Sequence, residues 1–162
     1  FDLKELQKGR REAEALVARG MELLTQIYAF PRPVVAACDG HAVGLGAFML
    51  LASDFRVGSA TDYNITLPET AIGMPFTPVL MTLIRDRIAS TQQTLAVLQS
   101  RPYRAEEARE AGFLDKVTAQ DTLLSECQAL AEQLSQLPGE AYAANKEDLR
   151  SHALGAMRES IG

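Results

Sequence analysis

CDGHAVGLGAFMLLASDFRV, residues 38–57, carries the densest pattern in the chain. It follows Val34-Val35-Ala36-Ala37-Cys38, which reads as a short strand buried on both faces, too brief and too β-branched for a helix. Asp39-Gly40 marks a turn. The loop Gly44-Leu45-Gly46 then leads into Ala47-Phe48-Met49-Leu50-Leu51-Ala52, which has the propensity of a buried helix. Glycines between strand and helix let the backbone turn sharply and approach a ligand, while the first helical amides have no intrahelical acceptor. Such a place suits negative oxygen, a phosphate or an enolate alike. Met49 occupies the third glycine position of the dinucleotide fingerprint, and no phosphate-loop Lys-Ser or Lys-Thr pair follows, so neither nucleotide motif is present.

Upstream of the strand, apolar residues recur at helical intervals from Leu3 to Phe30, predicting one long amphipathic helix with a bend near Gly20. Asp2 caps it in this reading. Pro31 and Pro33 end it, because proline lacks the amide proton and pushes its predecessor out of the helical basin. Downstream, residues 55–58 and 63–67 read as strands joined by a turn at 60–62, followed by Pro68-Glu69. Helical periodicity returns at 79–88, 91–98, 105–111, 121–137 and 140–158, with Thr91, Thr118 and Pro138-Gly139 as boundaries, and 113–117 reads as a further strand. No internal repeat appears. The organisation is α/β in front and helical behind, and helices at the tail of so small a domain often reach over a neighbouring subunit.

The chain has 162 residues, 47% of them hydrophobic and 23% charged, enough for one core but hardly two. Net charge is −5 and the 16 Lys and Arg are scattered among 21 Asp and Glu, which argues against nucleic acid as a partner. The longest strongly apolar run, 44–52, is far short of a bilayer crossing, and the opening residues have no leader-like pattern. A cytoplasmic location with no membrane partner is the expectation. Cys38 and Cys127 have neither metal nor disulfide-framework spacing and read as free buried thiols. The sequence opens on Phe1, not Met, and is expected to belong to a longer chain.

Three segments in this order, PRPVVAACDGHAVGLGAFMLLASDFRV, LPETAIGMP and AEEAREAGFLDKV, resemble the enoyl-CoA hydratase/isomerase (crotonase) superfamily. The resemblance runs from the FDLKEL start to the Lys146 region. It implies an α/β crotonase-like superhelix of ββα units with C-terminal trimerisation helices. Residues 1–118 would form the C-terminal part of the core and 119–162 a helical oligomerisation region. It further implies an acyl-CoA thioester substrate, no metal or cofactor, and a homotrimer or hexamer. The thioester oxygen would sit between two backbone amides, matching Leu45 and Phe1, the latter only as a peptide amide with residues before it. Gly44, Gly46, Phe48 and Phe76 would form the substrate-binding surface.

Of the family's two glutamates, the second matches Glu69 and the first position holds Phe48, which cannot move a proton. One carboxylate suffices for double-bond isomerisation, taking a proton from one carbon and returning it to another. Phe76 and Pro78 stand where the family prefers small residues, which reshapes the acyl pocket. The implied function is therefore an enoyl-CoA hydratase or isomerase with Glu69 as acid and base. The alternative is an inactive acyl-CoA-binding or scaffold protein. His41 reads as a structural loop residue, Asp54 as an internal hydrogen-bonding residue, and Met74 and Met81 as pocket or core filler. Lys146, Arg150 and His152 read as a solvated helix face, with a cationic patch near a CoA phosphate as the alternative.

Overall fold

The computed structural model describes residues 9–161. Helix α1 spans Arg10–Ala29 and runs unbroken through a buried Gly20, turning Met21, Leu24 and Tyr28 inward. The part of the expected helix before residue 9, and its Asp2 cap, lie outside the described residues. As the prolines dictate, α1 stops at Phe30, whose amide bonds the Ile27 carbonyl.

Strand β1, Val35–Cys38, lies parallel to β3, Phe55–Ser59, with Val35 opposite Phe55 and Cys38 opposite Gly58. Between them α2, Leu45–Ala52, makes the crossover that parallel strands require. The third strand of this sheet is β5, Lys116–Thr118, giving the order β1-β3-β5. The expected strand at 113–117 is therefore displaced towards the C-terminus. Gly112 ends the preceding helix in the left-handed region at φ 97°, and a Cβ there would fall 2.4 Å from the Arg87 carbonyl oxygen. The chain leaves this tight cap by sinking Phe113 and Leu114 into the core before it pairs.

A second, two-stranded parallel sheet joins β2, Ala42–Val43, to β4, Ile65–Thr66. No strand is expected at β2, and the strand expected at 63–67 pairs only at Ile65–Thr66; it follows β3 across the expected turn but belongs to a different sheet.

Helices α3 (Pro78–Arg87), α4 (Ser90–Leu98), α5 (Ala105–Ala111), α6 (Leu123–Ser135) and α7 (Gly139–Ile161) complete the chain. Thr77 caps α3, its hydroxyl oxygen accepting from the Leu80 amide. Thr91, expected as a boundary, lies inside α4. Helix α6 covers β1 and β3, while α7 lies on α1 and α3. The main apolar core is centred on Leu24, Phe48, Leu51, Ile65, Leu83 and Phe113, and a small separate cluster of Val57, Leu123 and Cys127 seats α6 on the sheet. Both cysteines are free and buried, as expected.

The expectation that Lys146 and Arg150 form a solvated face is corrected by their burial against Asp54. All three side chains are 8% exposed or less, with Lys146 Nζ and Arg150 Nη2 each 2.8 Å from an Asp54 oxygen. Asp54 also accepts from the Val34 amide at 2.7 Å and the Tyr142 hydroxyl at 3.1 Å. Arg150 donates to the Tyr28 carbonyl at 2.6 Å and stacks 4.1 Å over the Tyr28 ring. One internal aspartate thus gathers the start of β1, the start of β3, the end of α1 and the middle of α7. A charged helix pattern conceals this, because solvation and burial against a distant carboxylate leave the same local signature. Removing one member of such a network strands the others, so Asp54→Ala should lower unfolding free energy by about 3–5 kcal/mol in a urea titration. A loss under about 1 kcal/mol would show that water replaces the aspartate.

Candidate active site

The turn after β1 sends the chain through His41 into β2, whose pairing with β4 sets Val43 opposite Thr66. The ladder continues one step further, with the Gly44 amide donating to the Thr66 carbonyl at 3.0 Å. This brings the glycine loop against Leu67-Pro68-Glu69. Gly44 adopts φ 55° and ψ −120°, a conformation that strongly favours glycine. A Cβ at Gly44 would lie 3.6 Å from Glu69 Oε1 and 4.0 Å from Pro68 Cδ, so the carboxylate abuts the loop.

Helix α2 opens at Leu45, and the Phe48 amide makes the bond back to the Gly44 carbonyl at 3.1 Å. The amides of Leu45, Gly46 and Ala47 therefore precede the intrahelical ladder, at the helix end that favours negative charge. The Leu45 side chain packs against the core, consistent with a role through its backbone alone. Beside Gly46 a Cβ would meet open space, and Gly46 lines a cavity of about 460 Å³ together with β1, His41 and Met49.

Phe48 is fully enclosed and meets Phe76 edge-on, with ring centroids 6.2 Å apart at 68°. Phe76 is half-buried against the same core. Val43, Met49, Ile72 and Met74 are exposed apolar side chains on the segments that flank the loop and the glutamate. His41 accepts from the Asn64 amide at Nδ1, 3.1 Å away, the structural role expected of it. Phe1 lies outside the described residues.

Glu69 is only 8% exposed, and its Oε2 has no hydrogen-bond partner among the described residues. Burial pushes its carboxyl above the ordinary carboxylate range, opposed in part by its own backbone amide. The following turn is tied down on all sides. Met74 donates to the Glu69 carbonyl at 2.8 Å, the Thr70 hydroxyl to the Val97 carbonyl at 2.6 Å, and the Ala71 amide to Ser100 Oγ at 3.2 Å. Backbone bonds fix the turn that carries Glu69, while its buried Oε2 has no partner among the described residues. Among the described residues no group of three or more His, Cys, Asp or Glu could hold a metal ion. No described helix is long and apolar enough to cross a membrane.

A strand, glycine loop and buried helix set beside a buried glutamate, with parallel strands and a helical tail, define the crotonase fold. The enoyl-CoA hydratase/isomerase family profile matches residues 1–160, and the chain belongs to that family. It is 31% identical over 151 residues to a carnitinyl-CoA dehydratase of Shigella flexneri, covering 93% of this chain and 58% of that protein. The chain thus spans less than two thirds of that relative's length. A crystal structure of an enoyl-CoA hydratase/isomerase family protein from Pseudomonas syringae matches at TM-score 0.95 with 35% identity, over 99% of this chain and 70% of that one. An enoyl-CoA isomerase from Mycobacterium tuberculosis matches at TM-score 0.92 with 34% identity, over 99% and 70%.

The raised Glu69 carboxyl has a stability consequence with a definite sign. Between the ordinary carboxylate pKa and the raised folded value the native state binds more protons than the unfolded chain, so stability falls as pH rises through that window. Glu69→Gln removes this cost. Urea titrations should show the variant equal to wild type below the ordinary carboxylate pKa and more stable than it at neutral pH. A gap that is constant with pH would mean that the carboxylate is solvated.

Proposed function

We propose that this protein is an acyl-CoA enzyme of the double-bond isomerase type, with Glu69 as its acid and base. The observation that carries the reading is the buried, half-unpaired Glu69 carboxylate against the Gly44 loop. The Leu45 amide polarises the thioester carbonyl. Glu69 takes a proton from C2 of a 3-enoyl-CoA, and the electron pair moves into a dienolate whose charge rests on the thioester oxygen. Glu69 then returns the proton to C4, leaving the double bond between C2 and C3. Preorganised amides are effective here because they stabilise charge as it develops, one donor lowering the barrier by about 3 kcal/mol. The peptide amide of Phe1 is the proposed second donor.

A raised carboxyl pKa suits this chemistry, since the same group must accept a proton in one step and release it in the next. Phe48 supports isomerisation over two-glutamate hydration, because an enclosed aromatic ring offers no means of activating water. Gly44 and Gly46 allow the thioester to approach the backbone, and Phe48 with Phe76 shapes the acyl side. No metal or redox cofactor takes part in this scheme. The second reading, acyl-CoA binding without turnover, is favoured by the same Phe48.

The proposed assembly is a cytoplasmic homotrimer or hexamer formed through residues 119–162, with 1–118 supplying the C-terminal part of the catalytic core. Helix α6 exposes Leu124, which such an interface would cover.

With 3-enoyl-CoA as substrate, Glu69→Gln should lower the isomerisation rate by about 10²–10⁴-fold, and wild type should hydrate crotonyl-CoA more slowly than it isomerises. An unchanged rate in the variant removes Glu69 from the mechanism. Calorimetric binding of acyl-CoA with no turnover across chain lengths selects the second reading, and no binding defeats both. Sedimentation at micromolar concentration should give the mass of a trimer or hexamer, and a monomer contradicts the proposed assembly.

A further inference from the structure

Glu69 Oε2 has no hydrogen-bond partner among the described residues, and the causes of the raised carboxyl pKa are burial and its own amide, with no charged side chain of those residues among them. The direction of the carboxylate is therefore set by how the backbone on either side of it is held. Apart from the β2 ladder and the bonds within the turn, residues 65–71 are tied to one stretch of chain, the link between α4 and α5. Ahead of Glu69, Ile65 exchanges amide and carbonyl with Tyr103 at 2.9 Å, and Thr66 Oγ1 donates to the Arg101 carbonyl at 3.3 Å. Behind it, the Thr70 hydroxyl donates to the Val97 carbonyl at 2.6 Å and the Ala71 amide to Ser100 Oγ at 3.2 Å. Val97 lies in the last turn of α4, where carbonyls lack an intrahelical partner, so its oxygen is free to accept from Thr70.

Ser100 holds an unusual backbone. Among the described residues it is the only non-glycine residue at positive φ, at 48°. A Cβ is crowded against the following carbonyl in that left-handed conformation, which glycine adopts freely and in which glycine commonly ends a helix. Glycine has no hydroxyl. The strained residue thus carries an oxygen that is in use, as the acceptor for the amide two residues beyond Glu69. Strain of this kind persists where the surroundings over-determine it, and it clusters at functional sites.

We propose that Ser100 and Thr70 are positioning residues for Glu69, joining the end of α4 to the turn behind the carboxylate and so fixing the angle at which the acid meets the Gly44 loop. The catalytic consequence rests on the acid–base reading of Glu69; the clamp itself does not. Thr70 is exposed and Ser100 half-buried, so a change at either leaves the core in place. Loosening the turn lets the carboxylate leave its buried position and meet water. Its proton affinity then falls, and it is no longer held against the reacting carbons. Thioester binding at the Leu45 amide does not involve this turn, which places the effect on kcat.

A carbon NMR titration of the Glu69 carboxyl, assigned with Glu69→Gln, and steady-state isomerisation of 3-enoyl-CoA test this. Ser100→Gly keeps the left-handed turn while removing strain and hydroxyl together, so its Tm should hold or rise. Ser100→Gly and Thr70→Val should each move the carboxyl pKa down towards the ordinary carboxylate range. Each should also lower kcat by about threefold to tenfold with KM changed by less than about twofold. Thr70→Ser, which keeps the hydroxyl, should behave as wild type in both measurements. A Glu69 titration that neither Ser100→Gly nor Thr70→Val alters overturns the proposal. So does a loss in Thr70→Val that Thr70→Ser shares, or a kcat in an active wild type that Ser100→Gly leaves unchanged. If wild type turns over no 3-enoyl-CoA, the acid–base reading fails by itself and the carboxyl titration still decides the clamp.

Discussion

Two residues of β2 hydrogen-bonded beside two of β4 decide where the glycine loop meets the carboxylate. The Gly44 amide extends that ladder to the Thr66 carbonyl, which fixes the loop three residues before Glu69 in the opposite strand. Slippage by one residue would turn every side chain of so short a pair to the other face. The pair is too short to be stable alone, and it is held by what surrounds it. The Ile65 amide and carbonyl both bond Tyr103, and the Asn64 amide bonds His41. Much of the chain between residues 41 and 103 is thus committed to keeping a helix start and one acid side by side.

That arrangement runs against stability at two places. Gly44 sits at φ 55° in a conformation few residues adopt, and Glu69 is buried with one oxygen lacking a donor. The contrast with Asp54 is instructive. Both acids are nearly inaccessible, yet Asp54 is surrounded by Lys146, Arg150, Tyr142 and the Val34 amide, whereas Glu69 Oε2 has no partner among the described residues. Asp54 is spent on structure. Glu69 keeps the raised proton affinity that the proposed acid–base role calls for, and environment thereby separates two like groups.

Much of this was legible in the sequence where local rules govern. Prolines ended α1 at Phe30, the glycine loop opened α2, and six helices fell close to their periodic segments because an amphipathic stripe is a repeated signal. The position of Glu69 beside the loop came from the family resemblance, not from spacing, since nothing in a Pro-Glu pair states what lies against it. Short strands were the weakest part. Two-residue β2 and β4 are too brief for alternation to register, and β5 was displaced because Phe113 and Leu114 are core residues that look like strand. The Asp54 cluster was half legible. The aspartate read as internal, but its cations lie 92 and 96 positions away on a helix whose charges look ordinary.

This separation bears on how the chain is made. An acid at residue 54 that is completed only by residues 146 and 150 must wait while the ribosome adds the intervening stretch. At ordinary elongation rates of about 5–20 residues per second that delay is of the order of 5–20 seconds. Until then α1, β1 and β3 lack the cations that neutralise Asp54 in the folded protein. Closure around Asp54 therefore waits on α7, and a chain cut before Lys146 would keep an internal carboxylate without its cations.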